Sequence, residues 1–267
     1  MDKKAYPSYS ATFILLLVLL LAGFAGLPAF FVYLVWKNAL TFNIAQICSY
    51  IAAFTITIRY AKGKMAESGD VFSVRSQLNQ TINIRLTGIL IVLTIAIGIC
   101  IDYFNRALQL KNWLETDIAG LMKIPSLAFL SMVILPAFLE EFLFRGIILK
   151  QFLKRYSIPA SIIASAFFFG TIHGNPPQMV AGFTAGCFLG WVYFKTKNIW
   201  YCILIHFVNN SVAWIEYQLP QQSTTNGLIK FMNGLDTNST AFIAALIISI
   251  TGIFLLNRKY VPKTSSL

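Results

Sequence analysis

The long apolar stretches of this chain constrain its fold more than any other feature. A helix needs about 20 apolar residues to cross a bilayer, and eight segments approach or reach that length. Only 12% of the residues are charged, which is about half the share expected of a soluble domain. The sequence therefore predicts an all-α, polytopic membrane helix bundle, folded as one integral membrane domain over residues 1–267. The predicted spans are Ala11–Trp36, Ala39–Thr57, Leu86–Phe104, Ser126–Leu149, Pro159–Ile172, Met179–Phe194, Ile199–Tyr217 and Ala241–Leu256.

Local signals modify this pattern at three places. Pro28 is expected to kink the first span, because proline removes a helix hydrogen bond. The short fifth and sixth spans are joined by the breaker Gly174–Pro177, so they form either a tilted hairpin or a partly re-entrant pair. Between the third and fourth spans, Asn105–Lys123 mixes apolar and polar residues and predicts an amphipathic helix on the outer interface.

The distribution of positive charge predicts the orientation. With the N-terminus inside, the inner segments hold fifteen Lys and Arg residues and the outer segments hold five, while Arg145 lies within a span. Cytoplasmic loops carry such an excess, so a multi-pass cell-membrane protein with both termini in the cytoplasm is expected. The net charge of +11 is explained by these flanking residues, and no nucleic-acid partner is predicted.

Ionisable residues inside the fourth span are the main clue to function. Each charged group at mid-bilayer costs roughly 2.5 to 3.5 kcal/mol or more, yet the span contains Glu140-Glu141-x-x-x-Arg145. On an α-helix Glu141 and Arg145 lie about 40° apart and can pair, whereas Glu140 lies about 140° from the arginine. We expect Glu140 to be an acid/base residue and Glu141–Arg145 a scaffold. The alternative is a buried ion network that only fixes helix packing.

The only two histidines of the chain also lie in apolar segments. Each shares a helix face with a second residue one turn away, in the pairs Phe169-x-x-x-His173 and His206-x-x-x-Asn210. Glu and two His are the ligands of many hydrolytic zinc sites, and here they would be Glu140, His173 and His206. The same residues without a metal can act by general-base chemistry, with a His and Asn210 stabilising an oxyanion. The sequence does not contain H-E-x-x-H and leaves both mechanisms open.

The depths of these groups pose a geometric condition. At 1.5 Å per residue, the predicted boundaries put Glu140 about 15 Å and His206 about 12 Å from the cytoplasmic face, but His173 over 20 Å from it. The three side chains meet only if the fifth helix begins below the membrane surface or is strongly tilted.

The three motifs, in this order and on separate spans, resemble the CAAX protease and bacteriocin-processing (CPBP, or Abi) family of intramembrane proteases. The resemblance covers residues 127–217 and implies an endopeptidase that cleaves membrane-associated or lipidated, CAAX-like substrates. It also implies roles for individual residues. Glu140 would activate water, His173 would position that water or support the base, and His206 and Asn210 would form the oxyanion site. Glu141 and Arg145 would hold the architecture, and Phe169 would pack against the site.

Two alternative hypotheses remain beside the metal-free endopeptidase. No cofactor is favoured, although a zinc-dependent form of the same hydrolysis is the second hypothesis. The third is a non-enzymatic immunity, scaffold or transport protein that binds a partner through the same polar cavity. A carrier would be expected to show inverted repeats and broken helices, and apart from the break at Gly174–Pro177 the sequence shows neither clearly.

Overall fold

The computed structural model describes residues 5–218 and 239–259, and within these ranges the chain is helical without strands. The elements in chain order are α1 Tyr9–Gly23, α2 Leu27–Trp36, α3 Ala39–Glu67, α4 Val74–Leu78, α5 Ile84–Ala107, α6 Glu115–Leu121, α7 Pro125–Arg155, α8 Ile158–Thr171, α9 Pro176–Thr196, α10 Ile199–Gln218 and α11 Ser239–Lys259.

Five of the eight predicted spans fall in helices that are long and apolar enough to cross a membrane. They are α1 with α2, α3, α5, α7 and α11. The other three are α8, with 14 residues, and α9 and α10, with 21 and 20 residues. The last two have the length but are less apolar, since α10 carries His206, Asn209 and Asn210 and α9 contains three glycines and two prolines. The predicted all-α membrane bundle is confirmed, and the protein is a multi-pass membrane protein.

Several boundaries differ from those predicted. Helix α3 runs ten residues beyond Thr57, to Glu67, and α7 runs six residues beyond Leu149, to Arg155. No proline or glycine-rich breaker follows either predicted end, so both helices continue into polar sequence. The first span is interrupted by a 3₁₀ turn at Phe24–Gly26, after which α2 begins at Leu27 with Pro28 in its first turn.

Helices α8 and α9 form a tightly packed antiparallel hairpin. A Cβ on Gly182 would lie 3.1 Å from the Cα of Gly170, and one on Gly186 would lie 3.0 Å from the Cα of Ala166. The small residues spaced along α9 therefore serve close packing inside the bundle. The hairpin turn uses Gly174 in the left-handed region, at φ +61°.

The amphipathic helix predicted over Asn105–Lys123 is largely wrong. Helix α5 continues to Ala107, and only Glu115–Leu121 forms a separate helix. The end of α5 and the segment after it are held at the start of α9, because Asn105 donates to the Pro177 carbonyl and the Trp113 amide donates to Asn175 Oδ1. These contacts between distant parts of the chain form where a continuous helix was predicted.

The segments predicted to be cytoplasmic share one end of the bundle. Lys154 pairs with Asp70, joining α7 to the loop after α3. Tyr9 stacks on Tyr156 with ring centroids 3.8 Å apart. Asn198 donates to the Thr81 carbonyl at 2.8 Å. This grouping fits the predicted topology, while the side on which it lies stays a prediction. Of the charges counted for that prediction, Lys3, Lys4, Lys230 and Lys263 lie outside the described residues.

Candidate active site

Helix α7 contains two π-helical segments that flank the acidic pair, Leu130–Ile134 and Phe142–Leu149. Such widened turns are rare and are often found at functional sites. All eight residues of the second segment are buried. The acidic pair and the arginine are therefore enclosed by protein and do not face lipid, which lowers the cost of keeping charge at this depth.

Glu141 and Arg145 form the ion pair predicted from their spacing. Arg145 Nη1 lies 2.8 Å from Glu141 Oε1, and both side chains are fully buried. Nη2 donates to the carbonyl of Gly186 at 3.4 Å. The guanidinium also lies 4.4 Å from the ring centroid of Phe169, a cation–π contact. Arg145 thus connects α7 to both helices of the α8–α9 hairpin.

Glu140 occupies a different environment, as its predicted position around the helix requires. Its Oε1 accepts a hydrogen bond from the Tyr50 hydroxyl at 2.5 Å. Its Oε2 has no hydrogen-bond partner among the residues that the structure describes. His206 Nε2 lies 3.9 Å from Oε2, which is too long for a hydrogen bond. One carboxylate oxygen is therefore held and the other is free.

His206 is oriented by the scaffold carboxylate. Its Nδ1 lies 2.8 Å from Glu141 Oε1, the same oxygen that accepts from Arg145. Since a carboxylate can only accept, Nδ1 carries the proton in this bond. The ring consequently turns Nε2 towards Glu140. In the neutral ring Nε2 is an acceptor, and it becomes a donor only in the imidazolium form.

His173 and Phe169 stand on the opposite wall. His173 Nδ1 donates to the Phe169 carbonyl at 2.9 Å, which leaves its Nε2 uncommitted. The Phe169 ring lies between the two histidines, with centroid distances of 5.2 Å to His173 and 5.8 Å to His206. Phe169 therefore packs against the site, as the sequence predicted.

Asn210 is fixed by two polar neighbours. Its Nδ2 donates to the Met132 carbonyl at 2.9 Å, and its Oδ1 accepts from Asn209 at 3.2 Å. Pro136 has no N–H to offer the carbonyl four residues earlier, which is that of Met132, and Asn210 supplies a donor there. One amide hydrogen of Asn210 stays available for another acceptor.

The expected difference in depth between Glu140 and His173 disappears because α7 is longer than predicted, and the meeting of these side chains does not require the fifth helix to begin below the surface. Glu140 lies fifteen residues before the end of α7 at Arg155, and His173 lies fifteen residues after the start of α8 at Ile158. Both are thus about 22 Å from the same end of the bundle at 1.5 Å per residue. The earlier estimate for Glu140 was too small because α7 was predicted to end at Leu149.

His206 reaches the same level because α10 begins inside the protein. Ile199, its first residue, is fully buried. The segment around α4 lies against this helix start, where Trp200 Nε1 donates to the Leu78 carbonyl at 2.9 Å.

Two cavities meet at the site. The smaller, of about 320 Å³, contains the polar side chains of Gln178, Asn209 and Asn210. The larger, of about 800 Å³, lies against α1 and α3 and is mainly apolar. Glu140 and His173 line both, whereas His206 and Asn210 line only the smaller. Both linings are mainly apolar, and Glu140 stands where the two cavities join.

The proposed zinc ligands Glu140, His173 and His206 are not clustered around one point in this geometry. Within residues 5–218 and 239–259, no group of three His, Cys, Asp or Glu side chains is arranged to hold a metal ion. His206 Nδ1 is committed to Glu141, and His206 Nε2 is 3.9 Å from Glu140. A histidine whose Nδ1–H is bonded to a carboxylate keeps Nε2 free either for acid–base chemistry or for binding a metal, so these contacts are compatible with both mechanisms. The preference for a metal-free mechanism stays a prediction.

Two polar residues of the site were not identified from the sequence. Tyr50 belongs to no helical-spacing motif, and the only available signal was a tyrosine well inside a span rather than at the interface, where tyrosines are enriched. Asn209 was adjacent to a motif residue, but its bond to Asn210 depends on side-chain orientation.

Comparison with known proteins gives one match. Residues 122–212, about a third of the chain, match the family model described as Rce1-like, type II CAAX prenyl endopeptidase Rce1-like. The match contains all three motifs, and it confirms the resemblance to CAAX protease family proteins. No curated protein and no solved structure matches the chain significantly.

Proposed function

We propose that this protein is an intramembrane endopeptidase that hydrolyses peptide bonds of membrane-associated or lipidated, CAAX-like substrates. The observation that carries the proposal is the carboxylate of Glu140. One of its oxygens is held by Tyr50 and the other has no partner among the described residues, at the junction of two cavities. A buried carboxylate with one free oxygen beside a substrate-sized chamber is suited to general-base catalysis.

The chemistry follows from that arrangement. Glu140 Oε2 takes a proton from a water molecule, and the resulting hydroxide attacks the carbonyl carbon of the scissile peptide bond. When the C–N bond breaks, the proton passes from Glu140 to the leaving amine, which regenerates the carboxylate. His173, whose Nε2 is uncommitted, shares the cavity wall with Glu140 and would help to position the water.

The oxyanion formed during attack requires donors in the smaller cavity. Asn210 has one free amide hydrogen and is held rigidly by Met132 and Asn209. His206 Nε2 can also donate when its ring is protonated. Fixed donors of this kind are effective because they need no reorganisation during the reaction.

The substrate class is supported by the larger cavity. Its walls include Leu16, Leu19 and Leu20 of α1 and Phe54 of α3, which suit a lipid chain or an apolar peptide segment. The adjoining smaller cavity offers amide side chains to a peptide backbone. A substrate would then place its apolar part in the larger cavity and its peptide backbone in the smaller one, and the chain between them would pass Glu140.

The proposal includes a cellular context. Both termini would be in the cytoplasm of a cell-membrane protein whose partners are bilayer lipid and a peptide or lipidated protein. No resident cofactor is assigned.

The test uses purified protein in lipid nanodiscs and a farnesylated peptide ending in a CAAX sequence. We expect cleavage by the native chain, none by Glu140→Gln, and retention of activity in the presence of a zinc chelator. Leu19→Trp, which fills the larger cavity, should raise the KM for the farnesylated peptide. Leu17→Trp is the matched control, because Leu17 lies on the same helix but is 52% exposed and lines neither cavity. Equal turnover by native protein and Glu140→Gln would reject the proposal.

A further inference from the structure

Tyr50 lies outside every motif and outside the segment that matches the endopeptidase family, yet it contacts the proposed base. Its hydroxyl donates to Glu140 Oε1 at 2.5 Å. Its ring packs against Phe54 with centroids 4.7 Å apart, one turn further along α3. The ring position is therefore set by packing, and the hydroxyl is delivered to the carboxylate from a different helix.

The Glu140 carboxylate has no other fixed partner among the described residues. The last torsion of a glutamate side chain is broad, so a carboxylate without a hydrogen bond would sample many orientations. Arg145 is committed to Glu141, and the closest approach of His206 to Glu140 is 3.9 Å. The Tyr50 hydroxyl is therefore the contact that fixes the orientation of the carboxylate, with Oε2 on the side of His206.

We propose that Tyr50 is a positioning residue that holds Oε1 of Glu140 so that Oε2 is presented to the substrate water. The inference rests on the proposed function for its catalytic consequence, although the hydrogen bond itself can be tested without any substrate. Tyr50 keeps its proton throughout and only orients the group that accepts one. Tyr50 also lines the larger cavity. The residue that orients Glu140 would therefore contact the apolar part of a bound substrate.

The first experiment measures how readily the carboxyl group of Glu140 reacts with a chemical label. Hydrophobic carbodiimides react with carboxyl groups inside membrane proteins, and a carboxyl oxygen that is held by a hydrogen bond is less available to the reagent. Tyr50→Phe leaves the other polar groups around Glu140 unchanged. These groups are Glu141 with its partner Arg145, His173 and His206. We expect severalfold more labelling of Glu140 by dicyclohexylcarbodiimide in Tyr50→Phe than in the native chain, read by mass spectrometry at one pH.

Two matched variants complete this experiment. Tyr103→Phe is the control, since the ring of Tyr103 stacks on Phe242 in another part of the bundle. Replacing Tyr50 by 3-fluorotyrosine keeps the shape and the hydroxyl, so labelling should stay at the native level or fall below it. Equal labelling of the native chain and Tyr50→Phe, in folded protein, overturns the inference.

The second experiment separates orientation from binding. With the farnesylated peptide, Tyr50→Phe should lower kcat by about 10- to 100-fold, the usual range for a hydrogen bond to a charged group, with little change in KM. An unchanged kcat contradicts the role of Tyr50 while leaving the endopeptidase proposal intact. If the native chain cleaves nothing, the proposed function fails, and the labelling experiment still decides whether Tyr50 holds Glu140.

Discussion

The motif-bearing helices α7–α10 and the N-terminal helices α1–α3 use their side chains in opposite ways. All eight residues of Phe142–Leu149 in α7 are buried, including a charged arginine, whereas α2 has no buried residue at all. In α7 the apolar residues enclose polar groups, and in α1 and α2 they face outwards, as expected for lipid contact. The apolar residues of α7 thus surround a polar site, whereas those of α1 and α2 form a surface for lipid.

The two regions also contribute different residues to the site. The motif helices supply the acid pair, the arginine, both histidines and Asn210. The N-terminal helices supply one polar contact, from Tyr50, and the apolar wall of the larger cavity. We infer that the motif region carries the chemistry, while the N-terminal region orients the base and selects the apolar part of the substrate.

The largest effect is expected from breaking the ion pair inside the motif region. Arg145→Leu leaves Glu141 buried without its cation, at a cost on the order of 3–5 kcal/mol. We expect low abundance and a much reduced melting temperature in detergent. Arg258→Leu on α11, where the arginine is exposed and lies over Phe254, should be nearly neutral. A stable but inactive Arg145→Leu protein would instead give Arg145 a direct role in the reaction.

The next effect concerns the oxyanion donor. Asn210→Asp replaces an amide donor by an acceptor facing the Met132 carbonyl. Turnover of a cleaved peptide should fall by roughly 10²- to 10³-fold, as when one oxyanion donor is lost. The measurement is kcat in nanodiscs at matched protein levels. Turnover within threefold of native would exclude Asn210 from the oxyanion site.

A smaller effect is expected from crowding His173. The Cβ of Gly182→Ala would lie 3.3 Å from His173 Nδ1 and 3.1 Å from the backbone of Gly170, so the histidine must shift. We expect about a tenfold loss of activity, which corresponds to about 1.4 kcal/mol in activation free energy, because the histidine is displaced. Gly190→Ala is the control, because its Cβ meets only side-chain atoms of Ile162 and Leu149. Equal losses in both variants would point to general hairpin packing.

The smallest effect is expected where the two regions are joined at the surface. Asp70 and Lys154 link the loop after α3 to α7, with side chains 18% and 31% exposed. A partly exposed ion pair contributes about 0–1 kcal/mol, so Asp70→Asn should lower the melting temperature by a few degrees at most. A loss of abundance as large as that of Arg145→Leu would mean that the N-terminal region is bound to the site more tightly than this account allows.

The sequence predicted the parts of this structure that depend on local periodicity. Apolar length identified the helices, and the four-residue spacing of Glu141 and Arg145 identified their ion pair. The spacing argument assumed α-helical geometry, and the pair forms even though a π-helical segment begins at Phe142. Helix ends were less predictable, because α3 and α7 continue into polar sequence without a breaker.

Contacts between helices distant in sequence could not be predicted. Tyr50 and Glu140 are 90 residues apart, and His206 and Glu141 are 65 apart. No periodicity encodes either pair, since each depends on how whole helices pack. The same holds for Asn105 and Trp113, whose bonds to the hairpin turn replaced the expected amphipathic helix.

The central claim is that Glu140 catalyses peptide hydrolysis, and a comparison of peptide termini tests it without any assumption about substrate. Membranes from cells that carry the native chain or Glu140→Gln, at matched protein levels, are analysed for new N- and C-termini across the proteome. The account predicts a set of termini that is present with the native chain, lost in the variant, and located in membrane-associated or lipidated proteins. Identical termini in both samples, repeated across growth conditions, would contradict it.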